Sequence, residues 1–194
     1  MIKFGDTTPE VKDKTEDGVM INSMTAGMSS FDIKAIWLTS PKQLGKLCLD
    51  HDTHYWSNGA FNLVHLLLYV LSQIGPAHLI MSSYSFAIDS VTAMKKKLDD
   101  GVLLSARFLI DNRVRSLSPK PFAQLVESFP GNVRCTSVHA KVVCLWNDKY
   151  KVSIVGSQNA TNNPKLERGT IFVNPEVFDF DKTNLDVAFD QGTT

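Results

Sequence analysis

Apolar positions along this chain follow two periods, and their alternation outlines the fold. From Ala60 to Ile74 the residues Phe61, Val64, Leu67, Leu68 and Leu71 recur at helical spacing, and Gly75-Pro76 ends the run. Ala77 to Phe86 reads as a buried strand whose far end, Ser82 to Ser85, turns polar. Asp89-Ser90 can cap a helix reaching about Leu98, Gly101 closes it, and Val102 to Ile110 forms the next strand. Pro121 to Phe129 is a short helix, and Asn132 to Ser137 leads into a strand that carries His139. A hairpin follows, returning through Tyr150 to Val155; Thr170 to Val173 is a further strand, and Pro175 to Phe189 an amphipathic closing helix. The pattern of strand, helix, strand, helix, strand and hairpin predicts an α/β domain with a mixed sheet.

The N-terminal part is less regular. Residues 1–30 show little periodicity beyond a strand near Val19–Met24, and Phe31 to Thr39 reads as a second strand stopped by Ser40-Pro41. Asp50 to Trp56 holds two histidines and two aspartates. The expected structure there is a polar loop with hydrogen-bonded histidines; a metal site is the alternative, and no matching ligand pair elsewhere supports it. The predicted organisation is thus an extension over residues 1–56, with edge strands and a loop, followed by one domain over 57–194.

Composition narrows the class. The 194 residues are 43% hydrophobic and 21% charged, as in a globular protein rather than a disordered one. Lys+Arg 20 balance Asp+Glu 20, whereas a protein that coats DNA is usually more basic, so any polyanion site must be local. Cys48, Cys135 and Cys144 lack metal or disulfide spacing, and the N-terminus has no apolar core of a secretion signal, so a cytoplasmic protein is expected. The longest apolar run, Leu63 to Leu71, is too short to cross a bilayer, and no stable membrane association is expected. Lys95–Lys97 point round a helix and read as solvated. Arg113 and Arg115 follow a strand end, where they can meet a polyanion, and Ser83 and Tyr84 sit at the strand end where an α/β sheet carries its site.

The chemistry concentrates between Val138 and Gly169. In an extended strand His139 and Lys141 point the same way, about 6–7 Å apart. Val143 and Leu145 then share their face, and Ala140, Val142, Cys144 and Trp146 line the other, which suits a strand covered on both sides. Asn147-Asp148 reads as a tight reversal. If the hairpin closes, Gly156-Ser157-Gln158-Asn159 returns to the His-Lys edge, and imidazole, ammonium, hydroxyl and carboxamide converge as around a bound phosphate.

His139-x-Lys141 followed by Gly156-Ser157-x-Asn159 resembles the HKD signature of the phospholipase D superfamily, His-x-Lys-x4-Asp-x6-Gly-Ser-x-Asn. The family Asp position holds Trp146, the hairpin is longer than the pattern, and Asp148 stands two positions on as a possible substitute. The family often carries an acidic residue soon after the Asn, and Glu167 stands there. The resemblance implies a mixed sheet flanked by helices on both faces, and catalysis by two facing motifs. This chain supplies one, so a homodimer is expected to supply the second. It further implies His139 as nucleophile, Lys141, Ser157 and Asn159 around the phosphate oxygens, Glu167 orienting a histidine, and no cofactor or metal. The chain resembles the small dimeric nucleases of the superfamily, which implies DNA or RNA as substrate. A phospholipid-cleaving enzyme and a degenerate HKD module that binds nucleic acid or a partner without cleaving are the alternatives.

Overall fold

In the computed structural model, residues 19–20, 32–47 and 51–193 are described. Among the described residues, nine strands form one sheet: β1 Val19–Met20, β2 Asp32–Leu38, β3 His51–Ser57, β4 Ala77–Ser83, β5 Leu103–Asp111, β6 Val133–Thr136, β7 Lys141–Trp146, β8 Lys151–Gly156 and β9 Glu167–Phe172. Their spatial order is β1-β2-β3-β9-β8-β7-β4-β5-β6. The β2/β3, β4/β5 and β5/β6 pairs are parallel, and all others antiparallel. The helices are α1 Leu63–Ile74, α2 Ile88–Asp99, α3 Val114–Leu117, α4 Pro119–Ser128 and α5 Pro175–Gln191.

Local signals start and stop these elements. Asn62 caps α1 by accepting the His65 N–H on its side chain, while its own N–H donates to His65 Nδ1 at 3.2 Å. Gly75, at φ 80°, lets the chain leave α1 and turn at once into β4. Asn174 caps α5 through Glu176 N–H, with Pro175 at the first helical position.

Helices cover both faces of the sheet, as expected. On one side Leu67 and Leu71 of α1, Val91 and Met94 of α2 and Leu125 of α4 pack on Leu79, Met81, Phe108, Val143 and Leu145. On the other, Phe178, Leu185 and Phe189 of α5 cover Ile80, Leu109 and Cys144. The alternation read along β7 holds: Val143 and Leu145 enter the first core, Val142, Cys144 and Trp146 the second. Each fully buried Leu or Val side chain contributes roughly 1.5–3 kcal/mol, so a sheet with cores on both faces is well secured.

Several expectations are corrected. Residues 51–57 are not a loop but β3, between β2 and β9; Asp50 lies outside the described residues. Thr53, Tyr55 and Ser57 are buried on one face, and the polar residues between them serve the pairing. Asp52 Oδ1 accepts from Val173 N–H at 3.0 Å and His54 Nδ1 meets Thr170 Oγ1 at 3.0 Å, so polarity reflects partners in β9 and the residue after it rather than solvent. The division at residues 56/57 therefore falls within β3. Of the strand expected near Val19–Met24, Val19–Met20 is strand and the rest lies outside the described residues. β7 begins at Lys141, so His139 sits in the segment just before it. The hairpin loop spans residues 147–150, because Trp146↔Lys151 is the last pair and Asn147 Oδ1 accepts from the N–H groups of Lys149 and Tyr150.

Candidate active site

Four strands come into register at one edge of the sheet. Lys141 pairs with Gly156, Gly156 with Gly169, and Gly169 with Tyr55. Registered residues project to the same face, and the two glycines project nothing, so the Tyr55 ring lies across them. A Cβ on Gly169 would stand 2.3 Å from Tyr55 Oη, and one on Gly156 2.9 Å from the Arg168 carbonyl. Tyr55 Oη donates to Gln158 Oε1 at 2.7 Å, and Gln158 Nε2 donates to the Phe61 carbonyl at 2.9 Å. The variable residue of Gly-Ser-x-Asn is thus a buried clamp that fixes the turn presenting Ser157 and Asn159. Neither Tyr55 nor Gln158 carried a sequence signal of this role; only the register of distant strands joins them.

Lys141 is only 6% exposed. Its Nζ donates to the His139 carbonyl at 2.7 Å and lies 3.1 Å from His139 Nδ1. The imidazole itself is exposed at the sheet edge. Glu167, 5% exposed, accepts from the Ser157 hydroxyl and from Asn163 Nδ2 at 3.1 Å. Burial lowers the Lys141 pKa from the ordinary lysine range, and the Glu167 charge partly offsets that. Burial also raises the Tyr55 hydroxyl above its usual range, with the Glu167 charge adding to the shift. Asn159 Oδ1 is buried without a partner among the described residues, while its backbone carbonyl accepts from Leu63 N–H at 3.0 Å. A buried acceptor left open in this position is available to a protonated or hydroxylic group of a ligand.

The other expected site residues divide. The Tyr84 ring lies 5.4 Å from the His139 ring, and Arg113 Cζ stands 4.9 Å from the Tyr84 ring. Arg113 Nε donates to Asp111 Oδ1 at 2.7 Å, and this bond holds the Asp111 carboxyl below its usual range. Ser83 is buried and supports the turn instead of facing the cleft: its Oγ accepts from Ala160 N–H at 3.1 Å and donates to the Ser85 carbonyl at 2.9 Å. Arg115 is not brought to the site. Its guanidinium donates to Cys135 Sγ at 3.2 Å and Thr193 Oγ1 at 3.1 Å, tying α3 to β6 and the C-terminal residues. Asp148 lies in the hairpin loop at the opposite end of β7, about 16 Å along the strand from Lys141, so it cannot substitute in the site. Trp146 sits at the same far end, stacked on His78 at 5.4 Å and edge-on to Phe178 at 6.1 Å. Trp146 is thus a packing residue remote from the imidazole.

Among the described residues, no group of three or more His, Cys, Asp or Glu side chains is arranged to hold a metal ion. No helix among them is long and apolar enough to cross a membrane. Cys135 and Cys144 are free and buried, and burial pushes the Cys144 thiol up to about 12, which makes it unreactive.

No protein-family model and no curated protein matches this chain. Solved structures do. Nuc from Salmonella typhimurium, a phospholipase D family member, is 22% identical with a TM-score of 0.55, covering 73% of this chain and 95% of Nuc. NucT from Helicobacter pylori is 16% identical with a TM-score of 0.52, covering 74% of this chain and 99% of NucT. At these identities the likeness is one of fold, and the fold of this chain is that of the phospholipase D family.

Proposed function

We propose that this protein is a metal-independent phosphodiesterase that cleaves nucleic acid, DNA or RNA, in a site shared by two subunits. The observation that carries the reading is the buried Lys141 ammonium held 3.1 Å from the exposed His139 imidazole, beside a Ser157 hydroxyl anchored on Glu167. A phosphate seated against His139 falls within reach of that ammonium. His139 attacks phosphorus, a phosphorus–nitrogen bond forms, and the bond to the leaving oxygen breaks. His139 of the partner subunit gives its proton to that oxygen, then accepts one from the water that displaces the phosphohistidine and restores the free imidazole. Lys141, Ser157 and the amide of Asn159 offset charge on the non-bridging oxygens. Tyr84 and Arg113 flank the entrance.

The test is turnover of bis-p-nitrophenyl phosphate, plasmid and single-stranded DNA in EDTA. Turnover with an acid-labile phosphoryl adduct on His139 supports the reading. Binding without turnover would make the chain a non-catalytic module, and preferential cleavage of phospholipid vesicles would make it a lipid enzyme.

Two further results are expected. The protonated form of Lys141 is the one that binds phosphate oxygens, and it exists below the folded-state pKa, which burial lowers. The alkaline limb of kcat/KM, which reports the free enzyme, therefore falls at a lower pH than an unperturbed lysine would give. A limb at the ordinary lysine position would remove Lys141 from this role. Trp146→Asp, which restores the family residue, is expected to leave kcat within a few-fold. It would lower stability by about 2–3 kcal/mol in urea, through loss of the stacking on His78 and Phe178.

A further inference from the structure

A row of residues on the opposite face of β2, β3 and β9 has no part in the chemistry above. Trp37 pairs with Trp56 across β2 and β3, and Trp56 pairs with Arg168 across β3 and β9. The next strand continues the line: Ser157 N–H donates to the Arg168 carbonyl at 2.9 Å, and Arg168 N–H donates to Ser157 Oγ at 3.0 Å. Ile36, Leu38 and Tyr55 point into the core beneath α1, so by alternation Trp37, Trp56 and Arg168 point the other way. On that side, among the described residues, α5 packs on β4 to β8 rather than on β2, β3 and β9. The two indoles accordingly remain 47% and 43% exposed. One exposed tryptophan needs no explanation; two neighbours beside a cation do.

Arg168 is the second unusual feature. Arg107, Arg113 and Lys151 are paired with Asp186, Asp111 and Asp179, whereas Arg168 has no carboxylate partner among the described residues. Its Nη2 donates to His54 Nδ1 at 3.3 Å; burial and the arginine charge lower the His54 pKa, against an opposing pull from Asp52. The guanidinium is held by an imidazole nitrogen rather than a carboxylate, which leaves its charge for an anion. At the usual spacing between strands, Arg168, Trp56 and Trp37 stand about 5, 10 and 14 Å from Ser157.

We infer that Trp37, Trp56 and Arg168 form a platform for single-stranded nucleic acid, on which unpaired bases stack on the indoles and a backbone phosphate meets Arg168 on its way to Ser157 and His139. This rests on the nucleic-acid reading above and narrows its substrate to unpaired strands. Aromatic faces stack on bases of any sequence, but only where those bases are not already paired. Duplex DNA would offer the row its phosphates alone. A second copy of the same face would bring two unpaired arginines together, with no carboxylate in the row to meet them.

The experiment measures binding of a short phosphorothioate oligothymidylate to the full chain in EDTA, by anisotropy, alongside turnover of bis-p-nitrophenyl phosphate. Trp56→Ala and Trp37→Ala are each expected to raise Kd roughly tenfold, with Trp→Phe restoring most of the loss. Arg168→Gln is expected to reduce the slope of log Kd against log salt by about 0.7. The ratio of kcat/KM on single-stranded DNA to that on the ester falls with each alanine. Kd within twofold of the parent in both tryptophan variants would overturn the platform, as would an equal loss on duplex DNA. Conversion of a dimer to a monomer by the double alanine variant would overturn it too, and make the face a subunit contact. The two readings fail separately. An inert ester with tryptophan-dependent oligonucleotide binding keeps the platform and removes the phosphodiesterase; an active ester site with tryptophan-independent binding does the reverse.

Discussion

Replacing His139 with alanine is expected to lower kcat on a phosphodiester by at least about 10⁴-fold, because the proposed mechanism uses one imidazole as nucleophile and its twin as proton donor. The side chain is exposed, and its contacts are Lys141 Nζ and the edge of Tyr84, so the melting temperature should barely move. Loss of turnover without loss of stability is the signature of a chemical role. Subunit mixing separates a shared site from a self-sufficient one. If each site needs both imidazoles, an equal mixture of parent and His139→Ala chains, allowed to exchange, retains about a quarter of the parental activity, since only parent–parent dimers are competent. A self-sufficient subunit would retain about half. The second value would leave the fold intact and remove the twofold arrangement from the mechanism.

Much of this was legible in the chain because the informative signals were local. The hairpin from Lys141 to Gly156 follows from the apolar runs KVVCLW and KVSIV on either side of a polar turn, whereas His139 and Ser157 to Asn159 lie in the segments just outside those strands. Residues 51–57 misled for a physical reason. Asp52 and His54 look like loop residues, yet their polarity is consumed by Val173 N–H and Thr170 Oγ1 more than a hundred positions away, and such partners leave no mark within a window of sequence. Arg115 was misplaced similarly. It follows the same strand as Arg113, but the short helix α3 turns it toward Cys135 and Thr193. Gln158 and Tyr55 were missed altogether. Their hydrogen bond spans 103 positions, and only the opposed glycines make room for it. Trp146, at the position where the resemblance expects Asp, lies at the far end of β7 from Lys141, which no local pattern in the sequence discloses.

Those glycines lead to the second large effect. Gly169→Ala is expected to destabilise the protein by about 3–5 kcal/mol, measured as a fall in the urea midpoint at unchanged m. The added Cβ would stand 2.3 Å from Tyr55 Oη, 2.5 Å from Cζ and 2.7 Å from Cε1. Neither partner can yield cheaply. The Tyr55 ring is fully buried, lies 6.3 Å from the Phe61 ring and is tied to Gln158, while β9 is held between β3 and β8. Displacing the ring costs packing and leaves Gln158 Oε1 without its donor. Because Gln158 fixes the turn that carries Ser157 and Asn159, the variant should also lose activity well below its melting temperature. The coupling gives the decisive check. Tyr55→Leu alone is destabilising, since it opens a cavity and strands Gln158, yet in the Gly169→Ala background it removes the atoms that clash. The double variant is therefore expected to be more stable than the sum of the two single changes by over about 1 kcal/mol. Additive costs would mean that the tyrosine and the glycine do not share that space, and that the clamp on the Gly-Ser-Gln-Asn turn is held by something else.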